Sequence, residues 1–181
     1  LDVWIKGDYK RKSPEAPVYI LDQKKIKTNL GGAGNVAANL KNLGNKIKLF
    51  GVIAKDTNGK KILNLLTKLK IKNNISNVAT ITTAKTRLIN EKNKHLMRVD
   101  DEKIYTSDDS LKKLKDNNNS KDLIIICDYA KGLIKKDTIK KILQFNQNIF
   151  IDPKNSVYFY KGAFLIKPNM KQYEKWIGKF S

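Results

Sequence analysis

Three glycines in front of a run of small residues are the first feature of the sequence that points to chemistry. Residues 31–40 read Gly-Gly-Ala-Gly-Asn-Val-Ala-Ala-Asn-Leu. Glycine allows the backbone to approach a ligand closely, and a helix N-terminus favours negative charge and polar groups. The run lacks the Gly-Lys-Ser/Thr ending of a Walker A loop, and we do not interpret it as a dinucleotide fingerprint. Taken alone, it fits a glycine turn that packs a helix as well as it fits a binding loop.

Carboxylate and amide side chains follow apolar segments in the second half of the chain. Asp128, Asp152 and Asn169 each come at or directly after the end of such a segment. Because ligands of parallel sheets bind beyond the carboxyl ends of the strands, these side chains are candidates for a binding crevice. Helix capping is the alternative role for Asp128 and Asp152.

Arginine is rare in this chain, whereas lysine is abundant. Of the 37 basic residues, only Arg11, Arg87 and Arg98 are arginines. A guanidinium holds a phosphate through paired, charge-assisted hydrogen bonds, so arginines kept in a lysine-rich chain favour a phosphate site. The alternative is a surface ion pair, for example between Arg98 and Asp100 or Glu102.

The elements that would position these groups alternate along most of the chain. Hydrophobic spacing predicts strands at residues 46–53, 78–82, 86–90, 95–99, 123–128, 148–152 and 164–167. It predicts helices at residues 59–69, 136–145 and 170–176, and a short helix from Asp108 or Ser110 to Leu114. The continuous apolar run 123–128 predicts a strand buried on both faces. This alternation indicates an α/β fold with a mostly parallel sheet between helices, and the hairpin-rich middle indicates a small antiparallel patch.

Length and composition define the class of protein. The 181 residues, with 40% hydrophobic and 30% charged side chains, suit one domain, which we assign to residues 1–181. No apolar run approaches the roughly 20 residues that span a bilayer, and the first residues do not resemble a secretory leader. We therefore expect a cytoplasmic protein without a membrane partner. One cysteine and one histidine exclude a disulfide framework and a Cys-cluster metal site.

The formal net charge of +20 comes from lysines that are scattered rather than gathered in one stripe. A nucleic-acid-binding face more often mixes in arginine and interleaves aromatic residues. We therefore expect no nucleic-acid partner, although the charge would steer anionic substrates toward the protein.

The glycine loop and several later segments together resemble one family. Gly31, Gly32, Asn35 and Ala37 resemble the first signature of the ribokinase, or phosphofructokinase-B, family of sugar kinases. Within that family, Arg-Lys-Ser-Pro-Glu-Ala-Pro-Val at residues 11–18 and Asp-Tyr-Ala-Lys-Gly at residues 128–132 resemble the heptose 7-phosphate kinases. Further matches, in the family's order, are Lys85-Thr86-Arg87, Arg98-Val99-Asp100, Ile151-Asp152-Pro153-Lys154 and Lys167-Pro168-Asn169.

This resemblance implies a ribokinase-like three-layer α/β/α sandwich with a mostly parallel sheet and a small antiparallel β lid near residues 18–26 and 79–99. A homodimer through the lid is implied as well. The implied reaction is ATP-dependent phosphorylation of D-glycero-β-D-manno-heptose 7-phosphate at its anomeric hydroxyl, in ADP-heptose and lipopolysaccharide core synthesis, with Mg²⁺ as cofactor.

The resemblance also assigns residues to this reaction. The implied substrate-binding residues are Asp2, Arg11, Gly31, Gly32, Asn35, Lys85, Arg87, Arg98, Asp128 and Lys131. The implied nucleotide-binding residues are Asp152, Lys154 and Asn169. Gln172 stands where the family has a glutamate, and a neutral amide is a poorer Mg²⁺ partner than a carboxylate. The metal ligand therefore stays open between a loss of metal handling at this position and Glu174, which would act through water. A solvated acid without a ligand is the alternative for Asp2.

One family signature has no match in this chain. Gly-Ala-Gly-Asp, whose aspartate is the base of these kinases, does not occur in the 181 residues. We expect the first strand of the family fold and the ATP-binding part to be absent too, so that residues 1–181 form the N-terminal, sugar-binding part of a single kinase domain. We expect the chain alone to be inactive. Two alternatives remain open: another sugar or sugar-phosphate kinase of the family, and a non-catalytic basic module that binds nucleic acid with a steep salt dependence.

Overall fold

The computed structural model describes residues 1–105 and 109–178, which divide into two structural units. The first unit comprises Leu1–Ile47, Ile53–Lys72 and Ala79–Lys103; the second comprises Lys48–Val52, Asn73–Val78 and Ile104–Ser181. In chain order the strands are β1 (Asp2–Asp8), β2 (Asp22–Asn29), β3 (Lys48–Val52), β4 (Lys72–Ser76), β5 (Ala84–Asn90), β6 (His95–Asp101), β7 (Ile124–Cys127), β8 (Ile149–Asp152) and β9 (Leu165–Ile166). The helices are α1 (Gly32–Asn42), α2 (Thr57–Lys68), α3 (Asp109–Asp116), α4 (Lys136–Leu143) and α5 (Met170–Ile177), with a 3-10 helix at Val157–Tyr160.

The first unit contains a four-stranded sheet in the order β2-β1-β5-β6. β1 pairs antiparallel with β2 and parallel with β5, and β5 pairs antiparallel with β6. The predicted small lid corresponds to this sheet, in which two of the three strand pairings are antiparallel. It differs from the prediction in that β1 and β5 pair in parallel and β2 begins at Asp22 rather than near Val18. β1 itself was not predicted, and its pairing on both edges makes it central to the sheet.

Helix α2 of the first unit is held at its start by Asp56. The carboxylate accepts hydrogen bonds from the backbone N–H of Gly59 at 2.7 Å and of Thr82 at 2.8 Å. Partial desolvation acts to raise the pKa of Asp56, but these hydrogen bonds outweigh it, so the pKa lies below its ordinary value. Asp56 therefore caps α2 and also fixes the segment that contains Thr82.

The second unit contains a parallel three-stranded sheet, β7-β8-β9, and the pair β3-β4. The predicted parallel pairing between the segments 123–128 and 148–152 is confirmed. Isoleucines of β7, β8 and α4 form the core together with Tyr160, which is fully buried. Burial of these side chains is the main stabilising term for the unit.

Two strand predictions are corrected. Residues 78–82 form no strand, because buried Thr82 instead accepts a hydrogen bond from the Ala54 N–H at 2.8 Å while its own N–H donates to Asp56. The strand of that region is β4. Ile124 and Ile126 are buried, but Ile125 is 37% exposed, so within the described residues the face of β7 that carries Ile125 is only partly covered.

The predicted helices at residues 59–69, 136–145 and 170–176 are confirmed as α2, α4 and α5, with ends that shift by one or two residues. The short predicted helix is confirmed as α3 from Asp109, whereas its proposed start at Asp108 lies outside the described residues. Among the helices that the structure describes, none has the length and apolar character needed to cross a membrane.

Candidate functional site

The two faces of the four-stranded sheet differ in chemistry. The register places Asp2, Trp4 and Lys6 of β1 beside Asn29, Lys27 and Lys25 of β2, and beside Lys85, Arg87 and Ile89 of β5. Alternation along the strands puts apolar side chains on the other face, including Val3, Ile5, Ile26, Leu88, Met97 and Val99. We call the first of these the polar face and the second the apolar face. Four of the eight substrate-binding residues that the sequence predicted in this unit lie on the polar face: Asp2, Lys85, Arg87 and Arg98.

The carboxylate of Asp2 lies against the glycine loop. A Cβ placed on Gly31 would come within 3.0 Å of both Cγ and Oδ2 of Asp2, so the missing side chain of glycine makes room for the carboxylate. Gly31 is the N-cap residue of α1, and Gly32 has a φ of +53°, which favours glycine. Asp2 is therefore held at the N-terminal end of a helix, where polar ligands and negative charge are favoured.

Arg87 is fixed between Asp2 and Trp4. Its Nη1 donates to Oδ1 of Asp2 at 3.0 Å, and its guanidinium lies 4.7 Å from the centre of the Trp4 ring. The Arg87 side chain is only 19% exposed, so the ion pair is partly shielded from water. Sequence reasoning assigned Asp2 to sugar hydroxyls and Arg87 to a phosphate, and the structure joins these two side chains directly.

Neighbouring cations on the polar face share one carboxylate. Asp100 forms an ion pair with Arg98 at 3.0 Å and lies 4.0 Å from Lys85. The alternative role of Arg98 in a surface ion pair with Asp100 is therefore the arrangement observed. Lys85 and Arg98 therefore lie on the same face of the sheet as Asp2, and both are within ion-pair distance of Asp100.

Arg11 and Asn35 differ in position. Arg11 forms an ion pair with Asp22 at 3.0 Å. Asp22 is the register partner of Asp8, and Asp8 and Asp2 are at opposite ends of β1, about 20 Å apart along the strand. The structure therefore does not bring Arg11 together with the other two arginines. Asn35, by contrast, lies in the first turn of α1 next to the glycine loop and is exposed.

Asp128 of the second unit is a buried member of a hydrogen-bond network. It is 4% exposed, and its Oδ2 accepts from the Tyr160 hydroxyl at 2.6 Å and from Asn155 Nδ2 at 2.9 Å. Its Oδ1 accepts from the Ala130 N–H at 2.7 Å. Both carboxylate oxygens therefore have partners within the chain, which gives Asp128 a structural role, and substrate binding by it stays a prediction.

Tyr160 links this network to the loop after β8. Its hydroxyl oxygen accepts hydrogen bonds from the N–H groups of Lys154 and Asn155 at 2.9 and 2.8 Å. Burial raises the pKa of Tyr160, and its hydrogen bond to the Asp128 carboxylate raises it further. The hydroxyl therefore stays protonated and continues to donate to Asp128 at neutral pH.

The segment after β7 is held by its backbone. The Tyr105 N–H donates to the carbonyl of Lys131 at 2.7 Å, and a Cβ on Gly132 would collide with the carbonyl oxygen of Tyr105. Gly132 has a φ of +86°, so glycine is favoured there for two independent reasons. The Asp-Tyr-Ala-Lys-Gly segment is therefore constrained by packing, and ligand binding by Lys131 stays a prediction.

Cys127, at the end of β7, is a partly buried thiol. Burial, with a smaller contribution from the charge of Asp152, raises the pKa of its thiol to about 11. A thiol in that range is almost entirely protonated at neutral pH and reacts slowly. Asp152 is half-buried and Lys154 is exposed, and the roles assigned to them by resemblance stay predictions.

Asn169 and Gln172 form a reciprocal cap at the start of α5. Each side-chain oxygen accepts from the backbone N–H of the other residue at 2.9 Å. Gln172 Nε2 also donates to the carbonyl of Pro153 at 2.7 Å, a bond that a glutamate cannot make. The substitution at this family position therefore has a structural explanation.

The described residues also bear on the Mg²⁺ site that the family implies. They gather no group of three or more acidic, histidine or cysteine side chains suited to a metal. Mg²⁺ in kinases is usually held by one or two carboxylates together with substrate phosphates, so a single carboxylate such as Glu174 fits that pattern without forming a cage.

Sequence reasoning missed Trp4, Lys6, Lys25, Lys27 and Tyr160. The alternation Asp-Val-Trp-Ile-Lys at residues 2–6 was the signal for the first two, because it places polar and apolar side chains on opposite faces of a strand. Lys-Ile-Lys at residues 25–27 repeats this alternation over a shorter stretch. No local pattern marks Tyr160, because its partners lie up to 32 positions away.

Solved structures share this fold. Phosphofructokinase-2 from Escherichia coli in complex with fructose 6-phosphate aligns with a TM-score of 0.73 at 16% identity, over 99% of this chain and 61% of that one. A ribokinase from Thermotoga maritima aligns with a TM-score of 0.69 at 15% identity, over 99% of this chain and 61% of that one. The chain therefore has a ribokinase-like α/β fold.

Sequence comparison identifies the family. The pfkB family of carbohydrate kinases matches residues 4–180, and the chain belongs to this family. The bifunctional protein HldE of Nitratiruptor sp. is 34% identical over 98% of this chain, and that of Helicobacter pylori is 38% identical over 96%. In both cases the chain spans only about 40% of the relative's length.

Proposed function

We propose that the natural protein containing this chain transfers the γ-phosphoryl group of ATP to the anomeric hydroxyl of D-glycero-β-D-manno-heptose 7-phosphate, which gives the 1,7-bisphosphate. Kinase family membership and the HldE relatives support the class of reaction. The resemblance of residues 11–18 and 128–132 to heptose 7-phosphate kinases supports the substrate. This reaction belongs to ADP-heptose and lipopolysaccharide core synthesis in the cytoplasm.

The observation that carries the proposal is the position of Asp2. Its carboxylate is held against Gly31 and beside Arg87, on a sheet face rich in cations. A carboxylate accepts hydrogen bonds from sugar hydroxyls, and the surrounding cations attract a phosphorylated sugar. Gly32 and Asn35 would complete the contacts to the sugar.

Binding of ATP and Mg²⁺ is assigned to residues of this chain, whereas proton removal is assigned to the family signature that this chain lacks. ATP supplies the transferred phosphoryl group, and bound Mg²⁺ neutralises charge on its phosphates. Asp152, Lys154 and Asn169 are assigned to the nucleotide side, and Glu174 is assigned to Mg²⁺ through water. The aspartate of Gly-Ala-Gly-Asp, in the remainder of the natural protein, would remove the hydroxyl proton. This chain then contributes binding and orientation rather than proton transfer.

The test is a kinase assay on the protein made from its whole natural reading frame. ADP release should be fastest with heptose 7-phosphate, and the phosphorus NMR spectrum of the product should show an anomeric phosphate. Asp2→Ala should lower kcat/KM for the sugar by about 100-fold, because a misplaced acceptor hydroxyl loses its alignment with ATP. Preference for fructose 6-phosphate or ribose would instead favour another kinase activity of the family. Salt-sensitive DNA binding without kinase activity would refute the proposal.

We also propose a homodimer through the apolar face of the four-stranded sheet. Ile26, Met97 and Val99 on that face are 53%, 60% and 46% exposed, and a second copy of the sheet would cover them. Met97→Lys should convert the dimer to a monomer in sedimentation velocity, whereas Leu43→Lys, at an exposed position beyond α1, should not. A monomeric wild-type protein would contradict this proposal.

A further inference from the structure

A pocket of about 410 Å³ lies on the polar face of the sheet, further along β1 from Asp2. Three lysines from two adjacent strands line it, together with an aromatic ring and two amides: Lys6, Lys25, Lys27, Trp4, Asn29 and Asn93. The register places Lys27 opposite Trp4, and Lys25 opposite Lys6. None of the residues lining the pocket is acidic, so the pocket has a local excess of positive charge.

The lysines of this pocket differ from the three arginines in their partners. Each arginine forms an ion pair at 3.0 Å with an aspartate. Within the part of the chain that the structure describes, Lys25 and Lys27 have no carboxylate within ion-pair distance, and Lys6 donates to the amide oxygen of Asn93 at 3.0 Å. A phosphate entering the pocket would therefore meet uncompensated charge, whereas binding at an arginine would compete with an existing pair.

The spacing along the strands suits a sugar phosphate. Trp4 lies two residues from Asp2 on the same face, which is about 7 Å along an extended strand. If the hydroxyls of a sugar phosphate contact Asp2, the phosphate at the far end of the sugar would lie above Trp4 and near Lys27. The three lysines could then bind that group while the ring of Trp4 packs against the carbon chain.

Arg87 has a different role in this arrangement. It is 19% exposed, stacks on Trp4 and donates to Asp2. These contacts fix the carboxylate of Asp2, which would contact the sugar hydroxyls, and the ring of Trp4, which lines the pocket. Arg87 thus orients Asp2, and its loss should affect any sugar at the site, with or without a phosphate.

We propose that Lys6, Lys25 and Lys27 form the subsite for the existing phosphate of the sugar, and that Arg87 is a positioning residue for Asp2. This inference rests on the proposed phosphorylation of a sugar phosphate, and it assigns the phosphate to side chains that the family signatures do not include. It predicts that the lysines determine the preference for a phosphorylated sugar.

The experiment compares two double variants of the natural protein. Lys25→Gln with Lys27→Gln removes two charges from the pocket, and Lys60→Gln with Lys61→Gln removes two exposed charges from α2. The measured quantity is the ratio of kcat/KM for heptose 7-phosphate to kcat/KM for the same heptose without phosphate. Loss of charge-assisted contacts to phosphate should lower this ratio about 10- to 100-fold in the first variant only. Arg87→Ala should lower both kcat/KM values by similar factors and leave the ratio within about threefold.

Calorimetric titration with inorganic phosphate provides a readout that does not require turnover. Wild-type protein should bind phosphate at least about tenfold more tightly than the Lys25/Lys27 variant, and the Lys60/Lys61 variant should match wild type. If heptose 7-phosphate is a substrate but the ratio is unchanged in the Lys25/Lys27 variant, the subsite is refuted and the proposed function stands. If neither heptose is a substrate but phosphate binding depends on these lysines, the proposed function fails and the anion subsite stands. Absence of phosphate binding by wild type would overturn the inference.

Discussion

Tyr160→Phe removes one oxygen atom from the centre of the second unit. The Tyr160 hydroxyl donates to the Asp128 carboxylate at 2.6 Å, and its oxygen accepts from two backbone N–H groups at 2.8 and 2.9 Å. A hydrogen bond to a buried charge contributes about 1.5–3 kcal/mol, and each amide left without a partner costs about 1 kcal/mol or more. Asp128 keeps its bonds to Asn155 and Ala130, and water reaches the loop at exposed Lys154, which moderates the loss. We expect the free energy of unfolding to fall by about 3 kcal/mol.

The matched control is Tyr158→Phe, because it makes the same chemical change at a side chain that is 79% exposed. Urea unfolding of both variants and the wild-type natural protein, followed by circular dichroism, gives the two differences directly. Tyr158→Phe should stay within about 0.5 kcal/mol of wild type. If Tyr160→Phe lies equally close to wild type, the network does not stabilise the loop after β8 and the reasoning is wrong.

Three further predictions concern single groups. Asp56→Ala should cost about 1–2 kcal/mol at pH 7, because it removes the cap of α2 and the bond to Thr82. Because the folded state lowers the pKa of the Asp56 carboxyl, this stabilisation is complete above the ordinary value of 3.8 and is lost as the pH falls through the lower folded value. The urea midpoints of the variant and the wild type should therefore converge below about pH 4. Cys127, with a pKa of about 11, should react with iodoacetamide at pH 7.4 at least about 100-fold more slowly in the folded protein than in the urea-unfolded protein. Peptide mass spectrometry follows the alkylation, and equal rates would contradict the burial of this thiol. Gly31→Ala places a Cβ 3.0 Å from the Asp2 carboxylate and should lower kcat/KM for the sugar about 10- to 100-fold with little change in the unfolding midpoint; wild-type kinetics would show that the close approach is unimportant.

Local patterns predicted most of the helices and the parallel pair of strands. The helix at α4 and strands β7 and β8 follow from hydrophobic spacing, which depends only on neighbouring residues. The strand predicted at residues 78–82 failed because Thr82 is bound by Asp56 and Ala54, residues more than twenty positions away. Hydrophobic spacing carries no information about such distant partners.

The sequence by itself determined the family, the α/β class and the glycine loop, because residue identity and short spacing are sufficient for these. Only the tertiary structure decided which charges are neutralised. It paired Arg87 with Asp2 and Arg98 with Asp100, and it gathered three lysines into one pocket. It also buried Asp128 and joined it to the Tyr160 hydroxyl by a hydrogen bond. The physical reason is that strand register and burial place side chains from distant positions at hydrogen-bond distance, and electrostatic interactions depend on that distance rather than on separation along the chain.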